Sequence, residues 1–158
     1  MAGWVADDTV LVQSAATAAV VSACSDAAAV VEVTDRMTDD WYAALTSYRE
    51  VSRSAAEAVL HGSPTQRFAL NRSGSGTVAG ISRLGVSDGW GGVGAMWVAP
   101  EQRGRGIARA LLGALAEEAA GLGCVSMHLQ VDSGSSRAIS LYEGAGFRTH
   151  HSYAYLSP

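Results

Sequence analysis

One segment of this sequence limits the fold class more than any other, because a helical pattern is followed directly by a strand pattern. Between Ile107 and Leu122 apolar residues recur with a period near 3.6, which predicts a helix over about residues 104 to 121 that ends at Gly121 and Gly123. From Cys124 to Val131 apolar and polar side chains alternate, which predicts a strand with one buried face. A helix joined to a half-buried strand indicates the α/β class.

The rest of the chain extends this pattern of strands and helices. β-branched and alternating segments predict strands over about residues 9–14, 29–34, 67–71, 77–86, 90–98 and 147–156. Apolar spacing and capping residues predict helices over about residues 38–49, 52–61 and 135–143, and a short helix or loop over about 15–24. Strands followed by helices and again by strands predict a mixed α/β sheet with helices on both faces.

Composition excludes several classes of function. The chain has 158 residues, enough for one domain, and 48% of them are hydrophobic while 16% are charged. Its formal net charge of −4 disfavours binding to nucleic acid or to anionic lipid. All 11 basic residues are arginine, so a lysine Schiff base and a P-loop lysine are both excluded.

Cysteine spacing and hydropathy predict a cytoplasmic protein. Cys24 and Cys124 have no CxxC spacing, which favours buried free thiols in a reducing compartment over a disulfide framework or a zinc cluster. The uncharged stretch from Thr9 to Ser25 is shorter than the ~20 apolar residues of a membrane span. No basic residue precedes Arg36, so we expect no signal peptide.

Three arginines crowd the start of the predicted helix at 104–121. Arg103, Arg105 and Arg109 lie where the partial positive charge of a helix N-terminus should repel them. A bound phosphate would offset this repulsion, and Gly104 and Gly106 would let backbone N–H groups approach it. We therefore predict a phosphate site, with a solvated arginine cluster as the alternative. A Rossmann fingerprint would need glycine at position 109 and a Walker loop would need lysine, so neither dinucleotides nor nucleoside triphosphates fit.

The same segment resembles the coenzyme A pyrophosphate loop of the GCN5-related N-acetyltransferase (GNAT) family. That loop has Arg or Gln, two residues, Gly, one residue, then Gly or Ala, which Arg103, Gly106 and Ala108 match. The family's late tyrosine helix and the Gly-Phe pair that opens its last strand are matched by Ala138, Leu141, Tyr142, Gly146 and Phe147. The resemblance covers about residues 65 to 156 and extends more weakly from residue 29. It implies a mixed, mostly antiparallel twisted sheet flanked by helices, with a splayed central strand pair. We therefore expect an N-terminal extension over residues 1–28 and a GNAT domain over residues 29–158.

The resemblance also implies an activity, transfer of an acetyl group from acetyl-CoA to a primary amine that attacks directly in a ternary complex. The acceptor would be a small amine or a peptide. The N–H of Val98 would polarise the thioester carbonyl, and Tyr142 would protonate the departing thiolate. Without the resemblance, Tyr142 would be read as a core aromatic residue. The implied cofactor-binding residues are Met96, Trp97, Val98, Arg103, Gly104, Arg105, Gly106, Ile107, Ala108, Arg109, Ser135 and Ala138.

Two positions depart from the family pattern. Ser135 stands where many members have asparagine, and the central strand carries no carboxylate to act as general base. The candidates that remain are His128, Asp88 and Asp132, although a structural or solvated role is favoured for each, and a water relay would also serve. A non-catalytic acyl-CoA sensor on the same scaffold is therefore an alternative, and a plain phosphate-binding domain is a third.

The histidine pair near the end of the chain does not predict a metal site. Neighbouring residues of a strand point to opposite faces, so His150 and His151 are expected to make a poor metal pair. We expect no metal cofactor, and a homodimer would be common for the family.

Overall fold

The computed structural model describes residues 3, 5–60 and 62–157. Within these residues the chain forms seven strands and five α-helices: β1 Val5–Ala16, α1 Thr17–Ala23, β2 Glu32–Thr34, α2 Asp39–Thr46, α3 Arg53–Leu60, β3 Thr65–Arg72, β4 Val78–Ser87, β5 Trp90–Val98, α4 Ile107–Gly121, β6 Ser126–Asp132, α5 Ser136–Gly144 and β7 Arg148–Ser157. The predicted elements are all found, with ends shifted by a few residues. The part of the second predicted helix that falls on His61 lies outside the described residues.

The strands form one sheet in the order β2-β3-β4-β5-β6-β1-β7. Every neighbouring pair is antiparallel except β5 and β6, which are parallel. These two strands pair only from Trp90 opposite Ser126 to Val93 opposite Leu129, and they separate beyond that point. The predicted mixed, mostly antiparallel sheet with a splayed central pair is therefore confirmed.

Helix α4 covers one face of the sheet. Its side chains Leu111, Leu112 and Leu115 are completely buried, and they belong to the same core as Leu84 of β4 and Met127 of β6. Residues three and four apart lie on one side of a helix, which is why the apolar repeat of the sequence meets the sheet. Burial of each leucine contributes on the order of 2 kcal/mol to stability.

A second core lies on the opposite face, under α2 and α3. Trp41 is 1% exposed, packs edge-to-face against Phe68, and donates from its indole N–H to the carbonyl of Ser82 at 3.1 Å. Thr38 caps α2, because its hydroxyl accepts from the N–H of Trp41 at 3.3 Å. Each face of the sheet thus has its own layer of helices.

Strand β1 lies between β6 and β7 within the sheet. The predicted N-terminal extension at 1–28 therefore contains a strand with hydrogen-bonded partners on both sides. The division of the chain at residue 28 stays a prediction. Both cysteines are free and buried, as expected.

The histidine pair differs from its prediction. In the pairing of β7 with β1, His151 lies opposite Val12 and Thr149 lies opposite Gln13, so His150 is an extra residue in a β-bulge. The bulge interrupts the alternation, and the Nδ1 atoms of His150 and His151 lie 2.9 Å apart. The expectation that these rings point to opposite faces is wrong.

Candidate active site

A cavity of about 450 Å³ lies where β5 and β6 separate. Strand β5, the loop that leads into α4, and one face of α5 form its walls. The lining residues are Met96, Trp97, Val98, Gln102, Arg103, Gly104, Gly106, Ile107, Ala108, Arg109, Arg137, Ala138, Leu141 and Tyr142. The structure thus brings together all of the predicted site residues except Arg105 and Ser135, which are exposed and lie outside this lining.

Two left-handed glycines shape the loop before α4. Gly104 has φ of 80° and Gly106, the N-cap of α4, has φ of 76°, values that cost a residue with a side chain about 1–2 kcal/mol. The first helical hydrogen bond runs from the N–H of Ala110 to the carbonyl of Gly106. Among the described residues, no acceptor bonds the N–H groups of residues 104 to 109. A run of unbonded amides at a helix N-terminus is suited to bind a phosphate.

The three arginines of this loop make different contacts. Arg109 is ion-paired with Asp26 and also donates to the carbonyl of Ala23 at the end of α1. The hydrogen bond from Arg109 lowers the pKa of Asp26 below its usual value. Arg103 donates from Nε to the carbonyl of Val98 at 3.2 Å. In the part of the chain that the structure describes, no carboxylate forms an ion pair with Arg103 or Arg105.

Sequence reasoning missed Gln102, Arg137 and Leu141 as lining residues. Arg137 adds a further cation to the cavity wall, and no described carboxylate pairs with it. A usable signal was present, because positions 137, 138, 141 and 142 share one face of a helix. The match to the family motif at Ala138 and Tyr142 could therefore have been extended to their helical neighbours.

The backbone of β5 turns polar groups toward the cavity. The N–H of Ala99 donates to the carbonyl of Ala79, on the side of β4, at 2.8 Å. Successive residues of an antiparallel strand direct their polar groups to alternate sides, so the N–H of Val98 points away from β4 and toward the gap. Just before Trp97 a β-bulge interrupts this alternation, since residues 95 and 96 both lie opposite Ser82 and Ala95 has φ of 52°. This edge of β5 can therefore hydrogen-bond an extended ligand.

Tyr142 is the titratable residue of the cavity that burial affects most. Its side chain is 6% exposed and packs edge-to-face on Phe147 at 6.0 Å between ring centroids. Burial raises the pKa of Tyr142 to about 12, so the phenol stays protonated at neutral pH. No hydrogen bond joins its hydroxyl to any other described residue, although the ring lines the cavity. The hydroxyl is thus available to a ligand.

None of the three candidate bases lines the cavity. Asp132 accepts the N–H of Gly134 at 2.7 Å in the turn after β6, and Asp88 lies in the turn between β4 and β5. His128 lies on the face opposite α4, where its imidazole rests over the backbone of Gly92. The lining side chains thus include no carboxylate and no imidazole.

A model of the acetyltransferase (GNAT) family matches residues 31–147, and the chain therefore belongs to this family. A search of curated proteins finds no match. The matched residues include every residue that lines the cavity.

Solved structures show the same fold. A GCN5-related N-acetyltransferase from Sphaerobacter thermophilus is similar over 98% of this chain and 52% of its own, with a TM-score of 0.72 and 19% identity. A tandem GNAT protein from the clavulanic acid biosynthesis pathway is similar over 98% of this chain and 55% of its own, with a TM-score of 0.75 and 14% identity. A GCN5-related N-acetyltransferase from Kribbella flavida is similar over 98% of this chain and 59% of its own, with a TM-score of 0.63 and 14% identity. The chain thus spans between half and three fifths of each of these proteins.

Proposed function

We propose that this protein transfers the acetyl group of acetyl-CoA to a primary amine. One observation supports the proposal above all: a single cavity is lined by the loop before α4 with its unbonded amides, the free polar edge of β5 and the protonated Tyr142. These are the groups needed to hold a pyrophosphate, align an extended pantetheine arm and supply a proton to a thiolate. Ser135 and Arg105, at the rim, would add polar contacts to the cofactor.

In the proposed reaction the amine attacks the thioester carbon without a protein nucleophile. The carbonyl oxygen, which becomes negative, accepts the N–H of Val98. When the carbon–sulfur bond breaks, the thiolate takes the phenolic proton of Tyr142. Because no lining side chain is a carboxylate or an imidazole, we propose that water takes the proton from the ammonium group that the attack creates and returns a proton to the Tyr142 phenolate.

The first test is binding, followed by turnover. Isothermal titration with acetyl-CoA is expected to show one site per chain, and failure to bind at millimolar concentration would refute the proposal. Turnover is then measured as thiol release with amines, amino acids, aminoglycosides and peptides. An acceptor that raises the release rate well above hydrolysis supports acetyl transfer.

A non-catalytic acyl-CoA sensor is the second candidate. The observation that favours it is the lack of a base among the lining residues, together with serine at position 135. A sensor predicts tight binding of acetyl-CoA with no thiol release across the whole acceptor panel. Robust turnover with any one amine eliminates it.

The location of the protein in the cell and its oligomeric state are also proposals. None of the helices in the described ranges is long and apolar enough to cross a bilayer. We propose that the protein is cytoplasmic, because its two buried thiols are free. We also propose that it does not bind nucleic acid, because its net charge is −4. We also propose a homodimer, which sedimentation analysis of the full chain tests.

A further inference from the structure

The β-bulge in β7 brings two imidazoles together on an edge strand. Strand β7 is the last strand of the sheet, and both His150 and His151 are exposed. Their rings are nearly perpendicular, at 84°, with centroids 5.2 Å apart, and the two Nδ1 atoms converge to 2.9 Å. In a regular strand the same two side chains would lie on opposite faces. The pairing therefore depends on one extra residue in β7.

Two ring nitrogens this close need either a proton or a cation between them. If both Nδ1 atoms are unprotonated, their lone pairs point at the same region and repel each other. A proton on one ring nitrogen converts the contact into a hydrogen bond, and a metal ion would accept both lone pairs. Both rings are open to solvent, so an ion with its water ligands can reach them.

We propose that His150 and His151 form a binding site for a divalent late transition-metal ion, with Cu²⁺ and Ni²⁺ as the preferred class. With metal–nitrogen bonds of about 2.05 Å, nitrogens 2.9 Å apart subtend about 90° at the metal. That angle is the one between adjacent ligands of a tetragonal centre, the geometry typical of Cu²⁺ and Ni²⁺. A tetrahedral zinc site would need the same atoms about 3.3 Å apart.

The remaining ligands of this ion are water. Among the described residues no group of three or more histidine, cysteine, aspartate or glutamate side chains is placed to hold a metal. The site is thus an open one with two protein ligands, not a closed structural site. It is also separate from the cavity, whose lining does not include β7, so the inference stands whether or not the proposed acetyl transfer is correct.

The test is Cu²⁺ titration of the full chain, without a histidine tag and with malonate present as a weak competing ligand that binds through oxygen only. Wild type is expected to bind one ion per chain, with electron paramagnetic resonance showing two coupled nitrogens. His150→Gln and His151→Gln are each expected to weaken binding at least tenfold and to leave one coupled nitrogen. His128→Gln is the matched control, because it removes an exposed histidine from another strand, and it should change the affinity less than twofold.

A second measurement needs no variant. In a proton spectrum of wild type, substoichiometric Ni²⁺ should broaden the ring resonances of His150 and His151 together and leave those of His128 sharp. Equal broadening of all three, or an unchanged copper affinity in His150→Gln, would overturn the site. In either outcome the affinity for acetyl-CoA, measured separately, reports on the proposed function.

Discussion

At the scale of single residues, Tyr142 combines burial with access to the cavity. For Tyr142→Phe we expect turnover to fall about 10²- to 10⁴-fold, because the thiolate loses its proton donor. The affinity for CoA should stay within about twofold of wild type, since the ring and its contact with Phe147 remain. Steady-state kinetics and calorimetry measure the two effects.

Tyr153→Phe is the control for that substitution. The Tyr153 hydroxyl bonds Gln130 at 2.8 Å, outside the cavity, so its loss should leave turnover unchanged. If Tyr142→Phe retained full turnover, the proposal that Tyr142 donates the proton would be refuted.

The raised pKa of Tyr142 has a defined consequence for the pH profile. A pKa of about 12 keeps the phenol protonated, and so able to act as an acid, throughout the range in which an ordinary tyrosine of pKa ~10 would ionise. We therefore expect kcat to rise with pH as the acceptor amine loses its proton, and then to stay level up to about pH 10.5. An alkaline fall near pH 9 to 10 in wild type that vanishes in Tyr142→Phe would contradict this.

Arg105 lies between the two left-handed glycines without a carboxylate partner in the described ranges. Reversing its charge in Arg105→Glu should weaken CoA binding about tenfold at low salt, and the difference from wild type should shrink as salt is added. Arg36→Glu, which alters an exposed arginine beside Asp35, is the charge-matched control. A loss of affinity that does not depend on salt would argue against a contact with phosphate.

At the scale of elements, the start of α4 depends on Gly106. Gly106→Ala must place a side chain at φ of 76°, which costs about 1–2 kcal/mol or displaces the loop amides. We expect CoA affinity to fall about tenfold, measured by calorimetry.

Gly121→Ala, in the same helix, provides the comparison. A side chain there meets no atom within 4 Å and no positive φ is involved, so this variant should bind CoA normally and be slightly more stable. Equal affinity in both variants would mean that the loop conformation does not matter for binding.

Some features of the elements could be predicted from the sequence and others could not. Helix α4 and strand β6 were predictable because their patterns are local, and β5 was placed at its observed bounds. The bulge at His150 was not, because it exists only in the register of β7 against β1, over 130 residues away in the chain. The glycine-rich start of α4 was predictable from local residues. The ion pair of Arg109 with Asp26 was not, because it depends on how α1 packs against α4.

At the scale of the whole molecule, cofactor binding should stabilise the fold. A ligand at 100 times its Kd that binds only the folded state adds about 2.7 kcal/mol. For a chain of this size that corresponds to a rise in Tm of about 5–10 °C, measurable by scanning calorimetry. Arg105→Glu at the same CoA concentration should show a smaller rise, and an unchanged wild-type Tm would count against a CoA site.

The position of β1 in the sheet has a consequence for how the protein is made. Both neighbours of this strand, β6 and β7, lie near the other end of the chain. During synthesis β1 is made before β6 and β7, so its amides and carbonyls can pair only after all the elements between them have been translated. Such distant pairing slows folding and leaves nascent chains open to misassembly. Completion of the sheet is thus a late event, and interrupted synthesis before β7 would yield a species prone to aggregate.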